Sequence, residues 1–337
     1  MPANKKMSER ILVTGGTGFI GSHVVTSLIK DGFEVGIIDD LRNSKLDVLH
    51  QLIKITSSEI NFFEVNTSSA KAVQDVFESF RPSAVVHLAA DKSPSESILE
   101  PVKYYRNNIM GLCNILDSMS TVNCNKIVFS SSATVYGIPS SLPITEIMPT
   151  APTNAYGRSK LFGEALIQDW CKCSSSRGAV ALRYFNPVGA HQSGLIGENP
   201  EKAENIFPKI FQSIKEEIPL KIYGDDYDTR DGTGERDFIH VMDLADAHVS
   251  VVSGLLKKDG YDVFDVGTGI GTTVFELVNM MSKVSGISIS TEIVSRRPGD
   301  VASAYAEAIK IKKVYGWSSK FNLESMCVDS WNWVSRS

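Results

Sequence analysis

The sequence predicts an α/β fold, a doubly wound parallel sheet joined to a smaller C-terminal α/β domain, on three observations. Short apolar runs rich in branched residues alternate with helix-length segments through the first half. Several of these runs are apolar at consecutive positions, which suits strands covered on both faces. A glycine-rich turn follows the first run directly and opens the first helical segment. Strand, helix and strand at this spacing imply parallel pairing through right-handed crossovers.

The expected strands lie near Ile11–Thr14, Val35–Ile38, Ile60–Val65, Ala84–Leu88, Ile127–Ser130 and Val180–Tyr184. Around Ala190 the texture changes. His191 to Glu204 and Asp225 to Gly234 are polar, Gly-containing stretches that read as loops. The expected division gives the first domain residues 10–186, rejoined by about 237–266, and the second domain residues 187–236 and 267–337. Within it, Asp237 to Val266 reads as a strand, a helix and a strand returning to the first sheet.

Composition narrows the function classes. With 337 residues, 42% hydrophobic and 22% charged, the chain is an ordinary globular one. Its 34 basic and 39 acidic residues give a formal charge of -5, which disfavours non-specific attraction to nucleic acid or an anionic membrane. No run approaches the roughly 18 apolar residues of a membrane span. Met1 to Arg10 is polar and charged, unlike a signal peptide. The five cysteines, an odd number without C-x-x-C spacing, suggest neither a disulfide framework nor a zinc site. The expectation is a reduced, cytoplasmic protein without a metal.

Ile11 to Thr14 runs into Gly15-Gly16-Thr17-Gly18-Phe19-Ile20-Gly21 and then a helical pattern through Lys30. In such a turn Gly15 permits the bend, Gly18 lets backbone approach a pyrophosphate, and Gly21 lets helix and strand pack closely. The helix start offers free N–H groups and a positive dipole end to phosphates. Val35 to Ile38 then ends at Asp39, at the distance expected of a ribose ligand. Asp39 and Asp40 would repel a 2′-phosphate, so NAD is expected over NADP, on a Rossmann sheet.

Tyr156 and Lys160 are four residues apart, on one face if Pro152-Thr153-Asn154 starts a helix through Trp170. A free tyrosine titrates near ~10, and bringing it to about 7 takes roughly 4 kcal/mol of preference for phenolate. One cation about 5 Å away gives roughly 3 kcal/mol at an effective dielectric near 20. Lys160 nearly suffices on this reckoning, with the positive nicotinamide adding the rest. Upstream, Ser130-Ser131-Ser132 ends a strand where α/β sheets place ligands, so Ser132 could bridge a substrate oxygen and Tyr156.

TGGTGFIGSH, SSSATVYG, YGRSK, RYFNPVGAH and DGTGERDFIHVMDLADAH, in this order and spacing, resemble the UDP-galactose/UDP-glucose 4-epimerase family of extended short-chain dehydrogenases. The similarity runs from about Ile11 to Trp333. It implies an isomerase of UDP-sugar and galactose metabolism. Tyr156 would take the C4 hydroxyl proton while NAD takes the C4 hydride, and the 4-keto sugar would turn over and be re-reduced. Ser132 would assist the proton, and Lys160 would hold the nicotinamide ribose. By motif the resemblance adds Phe19, Ile20, Asn43, Ser44, Asn66, Thr67, Leu88, Ala89, Ala90, Lys92, Asn107, Ser130 and Tyr184 as cofactor contacts. For the UDP-sugar it implies Lys92, Ser132, Tyr156, Phe185, Asn186, Asn205, Ile206, Phe207, Lys221, Ile222, Tyr223, Arg236, Arg297, Asp300 and Ala304. Chemistry supports the arginines independently, since a diphosphate needs guanidinium or amide donors.

Several departures from the family pattern stand out. Asn66-Thr67 occupies a position where Asp-Ile or Asp-Leu is common, and Asn66 is expected to accept from adenine through its carbonyl. Leu88 and Asp91 replace a frequent Phe and an apolar residue. Ala304 stands where some members carry Tyr against the sugar, leaving room for an N-acetyl group, so UDP-GlcNAc and UDP-GalNAc are expected substrates too. A sugar-nucleotide dehydratase would need an acid/base pair where Ala133-Thr134 stand; uronate epimerases and decarboxylases remain alternatives, as does a non-catalytic NAD-binding scaffold. Amphipathic faces near Val102–Met119 and Tyr156–Trp170 suit a homodimer, although core packing explains the same pattern.

Overall fold

Ile11, Leu12 and Val13 are all fully buried, and they divide between two cores: Ile11 and Val13 face one side of a sheet and Leu12 the other. That is why the first strand is apolar throughout instead of alternating. The computed structural model describes residues 8–199, 205–297 and 299–336.

In chain order the elements are β1 (Arg10–Thr14), α1 (Phe19–Lys30), β2 (Glu34–Asp39), α2 (Leu46–Thr56), β3 (Asn61–Glu64), α3 (Ala70–Phe80) and β4 (Ala84–His87). Next come α4 (Pro94–Leu99), α5 (Pro101–Tyr104), a π-helical turn (Tyr105–Ile109), α6 (Met110–Thr121), β5 (Lys126–Ser132), α7 (Ala155–Lys172) and β6 (Gly178–Tyr184). The remainder comprises β7 (Asn186–Val188), α8 (Ile206–Glu216), β8 (Leu220–Tyr223), β9 (Glu235–His240), α9 (Val241–Leu255) and β10 (Gly260–Val266). It closes with β11 (Gly271–Thr273), α10 (Val274–Ser285), β12 (Thr291–Val294), β13 (Ser303–Ala304), α11 (Ile309–Tyr315) and α12 (Leu323–Val334).

The main sheet has seven strands in the order β10-β6-β5-β4-β1-β2-β3, and every neighbouring pair is parallel. Its direction of winding reverses between β1 and β4, the place where such sheets open a crevice at their carboxyl ends. Helices α1 and α9 cover one face through Val24, Val25, Leu28, Leu244 and Val251, while α3, α6 and α7 cover the other through Val73, Phe77, Leu112, Ile115 and Ile167. Each fully buried side chain of this kind contributes about 1.5–3 kcal/mol.

One expectation is corrected. Of the two strands expected to return to the main sheet, β10 does so beside β6, whereas β9 pairs with β7, β11 and β13 in a second sheet. Both ladder positions beside β6 are taken, by β5 and β10, and Phe238 of β9 packs instead into the apolar core of the smaller part. A separate apolar cluster of Phe207, Ile210, Phe211, Phe238, Leu277, Met281 and Met326 binds α8, α10 and α12 around that smaller sheet. Of the loop expected at His191 to Glu204, residues 200–204 lie outside the described residues. Among the described residues no helix is long and apolar enough to cross a membrane, and no three His, Cys, Asp or Glu gather as a metal site.

Candidate active site

The glycine-rich turn is built for close approach. Gly15 has φ +71°, and a Cβ there would press on the Ala89 amide at 2.9 Å; a Cβ on Gly21 would collide with the Gly15 carbonyl. Gly18 caps α1 without any side chain over the first N–H groups. The amides at this helix start therefore stay open to a ligand. Leu88 and Ala89 lie beside the turn because their amides both bond the Thr14 hydroxyl at 3.2 Å. Phe19 and Ile20 form the first turn of α1 and are partly exposed.

Asp39 ends β2 and is held by its surroundings: Oδ2 accepts from the Thr17 amide at 3.1 Å and Oδ1 from the Leu41 amide at 3.0 Å. Ser44 donates to the same Oδ1 at 3.3 Å. A carboxylate fixed this way has lone pairs left for ribose hydroxyls. Open backbone N–H groups, the clearance at the glycines and this carboxylate together fit a dinucleotide. Asp40 is engaged otherwise, with Arg42 Nε at 2.6 Å and the Asn66 amide at 2.8 Å. Arg42 continues to Asn107 at 2.8 Å, tying the β2 loop to the π-helical turn. Asn43 is exposed on the β2 loop.

The Asn66 carbonyl, expected to face adenine, instead accepts from the Ser68 amide and hydroxyl at 2.8 and 2.6 Å. Asn differs from Asp here in bringing a donor, and that donor is what draws it to Asp40. Thr67 is buried against α6, where a Cβ at Gly111 would meet its hydroxyl at 2.6 Å. Asp91 is buried as well, and its Oδ2 has no hydrogen-bond partner; burial raises its pKa.

On the other side of the crevice, α7 starts at Asn154, whose side chain accepts from the Gly157 amide at 2.8 Å. This cap fixes the face that carries Tyr156 and Lys160. Lys160 is buried and donates to the Ser130 carbonyl at 2.7 Å; its ammonium lies 5.8 Å from the centre of the Tyr156 ring. Tyr104 packs edge-on against Tyr156 with ring centres 6.4 Å apart. Ser132 accepts from the Thr134 amide and hydroxyl at 3.2 and 2.9 Å, leaving its own proton to give.

Electrostatics here correct the sequence estimate. Burial raises the Tyr156 pKa, and only the Ser132 hydroxyl opposes it. Burial also pushes Lys160 down to about 7. The protein alone does not acidify the phenol: desolvation, absent from a pairwise Coulomb estimate, costs both ions.

Behind the site lies a buried network that sequence reasoning missed. Glu164, one turn beyond Lys160, accepts from Arg183 Nε and Nη2 at 2.9 and 2.6 Å and from the Ser131 hydroxyl. Arg183 Nη1 donates to the Tyr136 hydroxyl at 2.8 Å, which donates on to Asp265 at 2.8 Å. Burial pushes Asp265 up to about 8, with Glu146 adding to the shift. Arg183 adjoins Tyr184, and Ser131 adjoins Ser132. The i,i+4 spacing of Lys160 and Glu164 was the one available signal.

The smaller sheet supplies a second cluster. Asp300 stands between two guanidiniums, Arg297 at 3.1 Å and Arg236 at 3.8 Å, and Arg297 also lies 4.3 Å over the Tyr223 ring. Ala304 is the ladder partner of Arg236. Asn186 donates to the Asp237 carbonyl at 3.0 Å. Lys221 is exposed on β8, but Ile222, Phe207 and Phe185 are buried, which leaves mainly backbone to face a ligand at those positions. Asn205 caps α8 just before Ile206, and its amide donates at 2.8 Å to Glu198, which also pairs with Lys92 at 3.1 Å. Glu198 was not singled out in the sequence, since nothing local marks it.

Comparison with known proteins agrees with this geometry. Residues 11–267 match the model of the NAD dependent epimerase/dehydratase family. The UDP-glucose 4-epimerase of Dictyostelium discoideum is 46% identical over 332 residues, 98% of this chain and 96% of that protein. That of Bacillus subtilis is 43% identical over 327 residues, 96% of each. A crystal structure of UDP-glucose 4-epimerase from Bifidobacterium longum with NAD+ and UDP superposes with TM-score 0.93 at 41% identity, covering 97% of this chain and 98% of that one. With the glycine turn, the Tyr-x-x-x-Lys helix and the arginine cluster in place over nearly the whole length, the chain belongs to the NAD dependent epimerase/dehydratase family, in its UDP-glucose 4-epimerase branch.

Proposed function

We propose that this chain is a UDP-hexose 4-epimerase that interconverts UDP-galactose and UDP-glucose with tightly held NAD. The observation that carries the reading is the convergence of Tyr156, Lys160 and Ser132 at the carboxyl ends of β5 and β6, beside the dinucleotide turn. NAD, when bound, supplies reversible oxidation at the sugar C4. The turn at Gly15, Gly18 and Gly21 holds its pyrophosphate, Asp39 its adenosine ribose, and Lys160 and Tyr184 its nicotinamide half.

Tyr156 removes the C4 hydroxyl proton and later returns it, with Ser132 bridging the two oxygens. Because burial opposes phenolate, Tyr156 becomes a base only beside a positive neighbour, which the protonated Lys160 and the oxidised cofactor provide. Arg236 and Arg297 hold the diphosphate, and Asp300 keeps both aligned until it arrives. The stretches 187–236 and 267–337 act as the UDP-sugar-binding part. Ala304, beside Arg236, leaves room for an N-acetyl group, so UDP-GlcNAc and UDP-GalNAc are also accepted. Ala133-Thr134 give no acid/base pair for elimination, which argues against a dehydratase.

An apolar patch of Ile98, Leu99, Val102, Met110 and Phe162 is exposed on α4 to α7 and supports a homodimer through these helices. The free cysteines support a reducing, cytoplasmic setting. The test is direct. Purified protein incubated with UDP-galactose should yield UDP-glucose by chromatography, and acid release should yield NAD. Tyr156→Phe should keep the NAD and lose about 10²–10⁴-fold in kcat. A Tyr156→Phe variant with full activity would overturn the mechanism, and no UDP-glucose from wild type would overturn the function.

A further inference from the structure

Tyr184 ends β6 directly opposite Ser132 in the β5–β6 ladder, so both side chains leave the same face of the sheet. Its hydroxyl is 2.5 Å from Nε2 of His248 on α9, with ring centres 5.4 Å apart. His248 is fully buried, and its Nδ1 lies 2.8 Å from the Leu244 carbonyl. A carbonyl only accepts, so Nδ1 carries the ring proton and Nε2 presents a bare lone pair. Tyr184 is therefore the donor in this bond. Burial lowers the His248 pKa to about 4, with the Leu244 bond opposing, so the ring stays a neutral acceptor at physiological pH.

A phenol has one proton. With it committed to His248, the Tyr184 oxygen offers the crevice only lone pairs. We infer that His248 is a positioning residue for the nicotinamide end of the cofactor: by holding the Tyr184 proton, it makes Tyr184 an obligatory acceptor, matched to the carboxamide amine, the one N–H donor group of nicotinamide. The inference rests on the proposed function in taking NAD as the cofactor and Tyr184 as its contact. Without His248 the Tyr184 hydroxyl keeps only Ser130 as a polar neighbour, a hydroxyl that can give or take a proton, and no longer prefers the amine end of the carboxamide over its oxygen. Burying the acceptor in α9, away from the cofactor, keeps this polarity independent of the bound sugar.

A double-mutant cycle on NAD retention tests it. Holoenzymes of wild type, His248→Met, Tyr184→Phe and the double variant are desalted, and NAD release is followed over time, with thermal unfolding recorded for each. His248→Met and Tyr184→Phe should each speed release about tenfold, the worth of one hydrogen bond, and the double variant should be no faster than either. His248→Gln, whose amide oxygen can take the Tyr184 proton, should restore release to within about threefold of wild type. His248→Leu replaces the methionine variant if that one does not fold. A double variant that releases NAD as the product of the single effects, or a His248→Met enzyme that retains NAD like wild type, would overturn the inference. Wild type that carries no NAD would instead sink the proposed function.

Discussion

Lys160 donates to the Ser130 carbonyl at 2.7 Å, and that bond anchors a buried ammonium beside Tyr156. That acceptor is an uncharged carbonyl, so burial dominates and lowers the Lys160 pKa from 10.5 to about 7. A lysine with a lowered folded pKa costs stability while both states are charged, and the cost fades as pH rises from the folded to the unfolded value. Stability of the cofactor-free protein should therefore rise between pH about 7 and 10.5, and Lys160→Met should flatten that slope. Unfolding midpoints measured across this window check it; an unchanged slope in the variant would refute it. The same substitution should move the acidic limb of kcat/KM to higher pH, because a cation that favours phenolate is gone.

At Gly21 a methyl group has nowhere to go, since the nearest atoms are the Gly15 carbonyl and the Gly16 Cα, all backbone. Gly21→Ala must push α1 away from β1. We expect a loss of about 1–3 kcal/mol in stability together with loss of bound NAD after purification. Gly32→Ala, where a Cβ meets nothing but φ is +92°, serves as the comparison: it should strain the backbone yet leave the NAD content intact.

Glu164 and Arg183 are both buried and bonded through two N–H groups. Removing one partner strands the other charge. Glu164→Ala should cost about 3–5 kcal/mol by denaturant unfolding, more than the paired replacement Glu164→Met with Arg183→Met. A paired variant as unstable as the single one would contradict this account.

Ala304 pairs with Arg236 at the mouth of the proposed sugar site. Ala304→Tyr should lower kcat/KM for UDP-GlcNAc by at least about tenfold while changing UDP-galactose turnover little, because only the larger C2 substituent competes with the ring. Wild type that does not turn over UDP-GlcNAc, under conditions where UDP-galactose is epimerised, would refute the premise.

Much was legible before any fold was known, for a physical reason. The six expected strands, the glycine turn, Asp39 and the Tyr156–Lys160 pair are short-range features, set by strand and helix periods and by which residues tolerate a positive φ. Chain-local chemistry writes these directly. Tertiary structure alone decided the rest: that β9 leaves the main sheet, that Asn66 turns to Asp40 and Ser68, and that burial outweighs the Ser132 hydroxyl and raises the Tyr156 pKa. It also decided that Tyr184 meets His248, 64 residues away, and that Glu198 meets Lys92 across 106 residues. Such partners are chosen by sheet register and by which surfaces exclude water, and neither quantity exists until the chain has closed on itself.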